Sequence, residues 1–252
     1  TILGYRIFVW CIKNIGIRSS YFVLYFVATY YFIFEKKSNQ YISYYFKNRL
    51  NFSALKTKLS VFRSYFVFGK VLIDKTAISV GLRNRFTYEF DGIENIKNLL
   101  AEKKGGVLIS AHIGNFEIAE HFFADIDFDA QINLVTTDQE VTAIREYMES
   151  ISVKKSNIKF IFVKDDMSHI FRINEALSNN ELICFTGDRY FEGSKFLEAD
   201  LLGKTAKFPA GPFLIASRLR VPVVYVYVMK EKNLHYHLYA RVAQNIKNRD
   251  SQ

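Results

Sequence analysis

The chain has 252 residues, half of them hydrophobic, and 34 Lys and Arg against 25 Asp and Glu give it a formal net charge of +9. That length suits one large α/β domain or a core domain with an N-terminal appendage, and the apolar fraction is ordinary for a globular protein. With no zinc-finger spacing, RNA-recognition signature or compact arginine stripe, nucleic acid is excluded as the expected partner.

The apolar residues are unusually aromatic, with 24 Phe and 16 Tyr against a single Trp. Basic charge beside an aromatic, apolar N-terminus fits an anionic membrane surface, where each Lys or Arg contributes roughly 1 kcal/mol. Cys11 and Cys184 lie far apart in different kinds of segment, so no disulfide framework is indicated and a reduced compartment is the default.

Residues 7–34 are apolar and aromatic but interrupted by Lys13 and Arg18. The longest clean run, Tyr21 to Phe34, is shorter than the ~20 residues that cross a bilayer. Glu35-Lys36-Lys37 follows in place of a small-residue cleavage site, so a signal peptide is not expected. The segment reads as a hydrophobic anchor, interfacial or partly inserted, with a buried helix pair as the alternative. Residues 40–72 carry an apolar stripe at helical spacing, from Tyr41 and Tyr44 to Phe66 and Val67, with Lys47, Arg49, Lys56, Lys58 and Arg63 between. One helix is predicted there. The organisation expected is an N-terminal hydrophobic and helical region over residues 1–75 and an α/β domain over 76–252.

From residue 84 strands and helices alternate. Phe86, Tyr88 and Phe90 predict a strand, and Asp91 is the expected cap of a helix running to about Lys104. Val107 to Ala111 predicts a buried strand, and Asn115 to Phe123 a helix. Ile132 to Thr136 is a strand, Gln139 to Glu149 a helix capped by Asp138, and Ile158 to Val163 a strand. Ser168 to Leu177 is a helix and Leu182 to Phe185 a strand. Pro212 to Leu219 is a helix, and Val221 to Met229 a long strand pairing antiparallel with Leu234 to Val242. The pattern implies βαβ units, hence a mixed, mostly parallel central sheet flanked by helices. His235 and His237 share one face of the last strand and are read as marking a sheet edge.

The segment richest in chemistry is Ser110-Ala-His112-Ile-Gly114-Asn115-Phe-Glu117. Gly114 permits a tight turn, and Asn115 is a candidate cap of the helix that follows. His112 then stands at the carboxyl end of a strand, where open α/β sheets place their ligands. Glu117 can return toward it from the first helical turn. A carboxylate on one imidazole nitrogen fixes the tautomer and raises the basicity of the other, which suits deprotonation of a hydroxyl or amine attacking an acyl carbonyl. Three rival readings stand beside it. Glu117 and His121, spaced i, i+4, could join His112 as metal ligands. The chain could be a non-catalytic membrane-binding module. An α/β-hydrolase would need a Gly-x-Ser-x-Gly elbow, which the chain lacks, and Cys184 reads as a buried thiol.

The His-x4-Glu pattern His112-Ile-Gly-Asn-Phe-Glu117 resembles the signature of the lysophospholipid acyltransferase superfamily. With Gly-Asn before an aromatic and Glu, it is similar to the bacterial lipid A late acyltransferase (lauroyl/myristoyl acyltransferase) branch. Phe68-Gly-Lys-Val-Leu-Ile-Asp74 precedes it. Phe185-Thr-Gly-Asp188-Arg189, Gly193-Ser-Lys-Phe196, Leu202-Gly-Lys-Thr-Ala-Lys207-Phe208-Pro-Ala-Gly211-Pro212 and Val221-Pro222-Val-Val-Tyr225 follow in order. The resemblance covers roughly residues 40–240.

It implies transfer of a fatty acyl group from acyl carrier protein, or from coenzyme A, to a lipid acceptor in lipid A or lipopolysaccharide biosynthesis, at the cytoplasmic face of the inner membrane. No cofactor, metal or covalent acyl-enzyme would be needed. His112 would be the general base and Glu117 its partner. Gly114, Asn115, Asp188, Arg189 and Lys207 would lie on the substrate-binding side. The branch often has an Arg directly after the strand that follows the His-Glu helix. Here Thr136-Thr137-Asp138 stands at that place, and Arg145, further on, either substitutes or decorates the helix surface. Phe208-Pro-Ala-Gly211 also lacks the Glu of the glycerolipid branch. The acceptor is therefore open between a phosphorylated disaccharide and a simpler hydroxy- or aminolipid.

Overall fold

The computed structural model describes residues 2–123, 130–136, 150–153, 158–164, 166–190 and 192–243. The chain divides into two compact units. One comprises residues 1–86, 141–155 and 198–206, and the other residues 87–140, 156–197 and 207–252.

The first unit is helical. Helices α1 (Ile2–Asn14) and α2 (Ile17–Phe34) are separated at Gly16, whose φ of 98° no helix accommodates. Ile17, Ser20, Leu24 and Ala28 of α2 are buried at near-helical spacing. They pack toward α4 (Ala54–Ala77), where Gly69 allows close approach: a Cβ there would lie 2.3 Å from Leu24 Cδ1. Tyr25 packs on Phe66 with ring centroids 4.1 Å apart. The single helix expected over residues 40–72 is instead three pieces. Helix α3 (Lys36–Tyr44) runs into a π-turn (Tyr45–Arg49), and α4 starts afresh after Leu50–Ser53. The interruption has two local causes. Asn51 takes a left-handed φ of 54°, and the Ser53 hydroxyl accepts the Lys56 amide at 3.4 Å as N-cap.

At 18 residues and mean hydropathy 1.2, α2 is long and apolar enough to cross a membrane by length and composition. It spans roughly 27 Å at 1.5 Å per residue, close to a hydrocarbon core of about 30 Å. The clean run read from the sequence starts four residues later than the helix, because Arg18, Ser19 and Ser20 form its first turn. Phe22, Phe26, Tyr30 and Phe34 of α2 are exposed, with 56–67 % of their surface bare.

The second unit holds a seven-stranded sheet of order β1-β9-β8-β2-β5-β3-β4. The strands are β1 (Thr87–Asp91), β2 (Gly106–Ser110), β3 (Ile132–Thr136), β4 (Ile158–Phe162), β5 (Leu182–Thr186), β8 (Val223–Lys230) and β9 (His235–Val242). All neighbours pair parallel except β8 and β9, which are antiparallel. The expected α/β class and mostly parallel mixed sheet are thus borne out. Strands β6 (Phe196–Leu201) and β7 (Lys204–Pro209), absent from the sequence reading, form a separate two-stranded sheet.

The sheet is covered on both faces, so β2 is buried at every position. Val107, Ile109, Ile183 and Phe185 form one core with Ile173 and Leu177 of α7 (Ser168–Ser178) and Ala216 of α8 (Gly211–Leu219). Leu108, Leu182, Cys184 and Val224 form the other with Ile96 and Leu99 of α5 (Ile93–Ala101). Asp91 does not cap α5. The N-cap is Gly92, and the Asp91 carboxylate pairs with Arg241 instead. His235 and His237 do not mark an edge, since β9 is paired on both sides. His235 Nδ1 lies 2.8 Å from the Thr87 hydroxyl, and His237 Nδ1 lies 3.4 Å from Glu231. The helix expected over 139–149 with Asp138 as cap lies outside the described residues.

Candidate active site

Parallel pairing of β2 with β5 runs Gly106↔Leu182 through Ser110↔Thr186 without a slip. The Gly187 amide then donates to the Ser110 carbonyl at 2.8 Å, continuing the ladder past both strands. A Cβ on Gly187 would lie 2.8 Å from Ile109 Cγ2, so the small residue keeps the two chains close at this point. One residue further, the same register sets Asp188 opposite His112.

The two residues are joined twice. The His112 amide donates to Asp188 Oδ2 at 3.1 Å, and His112 Nδ1 lies 2.9 Å from Asp188 Oδ1. An ionised carboxylate only accepts, so against one Nδ1 is the donor, and in a neutral imidazole Nε2 is then the acceptor. The pair is part-open to solvent, with 37 % of the His112 side chain and 29 % of the Asp188 side chain exposed. This base–orienter arrangement fits proton abstraction from a hydroxyl or amine.

The turn after β2 fixes the histidine from the other side. The Ile113 amide reaches the Ala111 carbonyl at 2.7 Å, closing a tight turn centred on His112. Gly114 bridges to Val228 of β8, and the Asn115 amide donates to the Val228 carbonyl at 2.8 Å. Gly114 has φ 73°, and a Cβ there would come within 2.0 Å of that carbonyl. Only glycine fits. Asn115 does not cap the following helix through its side chain. It is 4 % exposed, and its Nδ2 donates to the hydroxyl of the fully buried Tyr236 at 3.4 Å. A 3₁₀ turn (Phe116–Ile118) leads into α6 (Ala119–Phe123). Glu117 is in that turn, and its side chain lies outside the described residues, as does Arg145.

Arg189 follows Asp188 directly and is exposed. Lys207 Nζ sits 4.2 Å above the Phe196 ring and 5.8 Å from Tyr190, a cation–π arrangement at an exposed site. Tyr227 was not singled out in the sequence. Burial pushes its hydroxyl above the ordinary tyrosine range, with Tyr225 and Asp188 adding to the rise, so it stays neutral. Ser110 Oγ is buried without a partner among the described residues. The Cys184 thiol is fully buried, and burial pushes it to about 12, which removes it as a nucleophile at neutral pH. Among the described residues no group of three or more His, Cys, Asp and Glu could hold a metal ion.

The missed element was the Asp188 contact. The signal was in the sequence: Val107-Leu-Ile-Ser and Ile183-Cys-Phe-Thr are both buried strands, and His112 and Asp188 each stand two residues past a strand end. Pairing of those strands with each other is what the sequence does not state.

A comparison with curated proteins gives no match. The family described as bacterial lipid A biosynthesis acyltransferase matches residues 64–252, which include the whole sheet, His112, Glu117 and Asp188. Three-quarters of the chain lies within that match, and the chain belongs to the bacterial lipid A biosynthesis acyltransferase family.

Proposed function

We propose that the chain transfers a fatty acyl group from the thioester of acyl carrier protein, with coenzyme A as the alternative carrier, to a hydroxyl or amine of an envelope lipid of the lipid A type. The observation that carries this reading is the pair of contacts from Asp188 to His112 at 3.1 and 2.9 Å. His112 Nε2 takes the proton from the attacking hydroxyl or amine as it adds to the thioester carbonyl. The imidazolium that forms is stabilised by the Asp188 carboxylate, and its proton passes to the departing thiolate. Tyr227, held neutral, and the exposed Arg189 and Lys207 are the groups available for negative charge on the tetrahedral oxygen or the substrate head groups. Arg145 is the further candidate for an acceptor phosphate.

Glu117 is the second carboxylate in this scheme. It supports the imidazole or its immediate surroundings, and Asp188 holds Nδ1. On this reading α2, with its exposed aromatics, anchors the enzyme at the cytoplasmic face of the inner membrane, next to a lipid acceptor. The test is acyl transfer from acyl carrier protein by purified variants. His112→Ala should abolish turnover with the fold intact. Asp188→Asn keeps the shape and removes the charge, and should lower kcat by about 10²–10⁴-fold with little change in KM. Full activity in Asp188→Asn together with loss in Glu117→Gln would assign the orienting role to Glu117 alone.

A further inference from the structure

The tip of the β6–β7 hairpin is apolar and bare. Leu201 and Leu202 are 49 % and 46 % exposed, although burial is the usual fate of adjacent leucines. The turn is Leu202-Gly203, with φ of 52° and 74° at the two positions. Such turns favour Asn-Gly, and a leucine there accepts backbone strain without gaining burial. Ala199 and Leu201 alternate with Glu198 and Asp200 along β6, and Asp200 is tied down by the Thr205 hydroxyl at 3.2 Å. One face of the tip is therefore polar, with Asp200 paired to Thr205, and the other is apolar.

Residues 198–206 belong to the same compact unit as the N-terminal helices. The link is direct: the Arg49 guanidinium donates to the Leu201 carbonyl at 2.9 Å. Arg49 ends the turn Tyr45–Arg49, which carries the exposed Lys47. Tyr41 and Tyr44 just before the turn and Tyr45 at its start are 67 %, 50 % and 43 % exposed. Exposed tyrosines with Lys and Arg are the composition of a membrane–water interface.

We infer that the hairpin tip Leu201-Leu202 is a second, non-helical membrane contact, dipping into an anionic leaflet beside the Tyr41–Arg49 belt. It rests on the reading of α2 as a membrane anchor. A charge-recognising protein partner fits less well, because the bare side chains at the tip, Leu201 and Leu202, are apolar. Two leucines at a turn, with Lys204, Lys47 and Arg49 at headgroup level, suit lipid.

Trp10 is the single tryptophan and lies in α1, so the protein carries its own reporter for the helical unit. The full chain is placed in vesicles of phosphatidylethanolamine and phosphatidylglycerol, with brominated acyl chains as the membrane quencher and iodide as the aqueous one. Beside it goes the variant Trp10→Phe, Leu201→Trp, with Trp10→Phe, Ala199→Trp as a second reporter. The expected result is severalfold stronger quenching of the Leu201→Trp emission by bromolipid than by iodide. Emission open to iodide and untouched by bromolipid, while Trp10 in the parent is quenched, overturns the hairpin contact and leaves the helical anchor standing. If Trp10 is also untouched, both fall. Emission altered by acyl carrier protein and not by bromolipid overturns the inference in favour of a protein dock.

Discussion

Asp188 meets His112 at both its backbone amide and its ring, so the carboxylate holds the position of the loop as well as the orientation of the imidazole. Removing the charge and removing the contact should therefore differ. Asp188→Ala should lose the loop position too and raise KM, where Asp188→Asn affects mainly kcat; steady-state kinetics on both variants separate the two effects. Gly114 supports the same histidine from below. Gly114→Ala places a methyl group in a left-handed conformation and 2.0 Å from the Val228 carbonyl. It should cut kcat by at least tenfold and lower the melting temperature, and an unchanged enzyme would show that the turn can shift without moving His112. At alkaline pH, Cys184 gives a stability prediction. Burial raises its thiol from an ordinary 9.0 to about 12. The folded state holds this proton more tightly, so the contribution is whole below about pH 9 and is lost as pH rises toward 12. Cys184→Val should flatten the alkaline fall in melting temperature, and equal slopes in both proteins would refute the assignment.

At the scale of elements, the site depends on how β2 and β5 pair and on how each leaves the sheet. Gly187 is the residue that lets them run on together. Gly187→Val would press branched carbons on Ile109 and splay the strand ends, parting Asp188 from His112. In the helical unit the break before α4 has a local cause in Ser53. Ser53→Ala should cost about 1 kcal/mol of stability, read by chemical denaturation, with acyl transfer unaffected. The periodicity of residues 40–72 showed apolar spacing but not that Asn51 would turn left-handed, since a stripe of side chains carries no information about a single φ angle.

The whole molecule is basic and aromatic, and the two properties act over different ranges. Net charge of +9 acts through solution and is screened, with a Debye length of about 10 Å at 0.1 M salt and about 3 Å at 1 M. The exposed aromatic face of α2 acts only on contact. Salt should therefore slow capture by anionic vesicles yet leave the bound protein in place until detergent is added. Flotation measures both, and release by 1 M salt alone would show that α2 is not embedded.

The sequence by itself determined the α/β alternation, the strand carrying His112, the glycine turn after it and the family, because these rest on local periodicity and on motifs contiguous in the chain. Only the tertiary structure decided that β9 lies inside the sheet, that Asn115 turns inward to Tyr236, and that Asp188 faces His112 across 76 positions of sequence. The physical reason is common to all three. Strand order and register are set by which buried faces pack together, and no residue records its neighbour across a sheet.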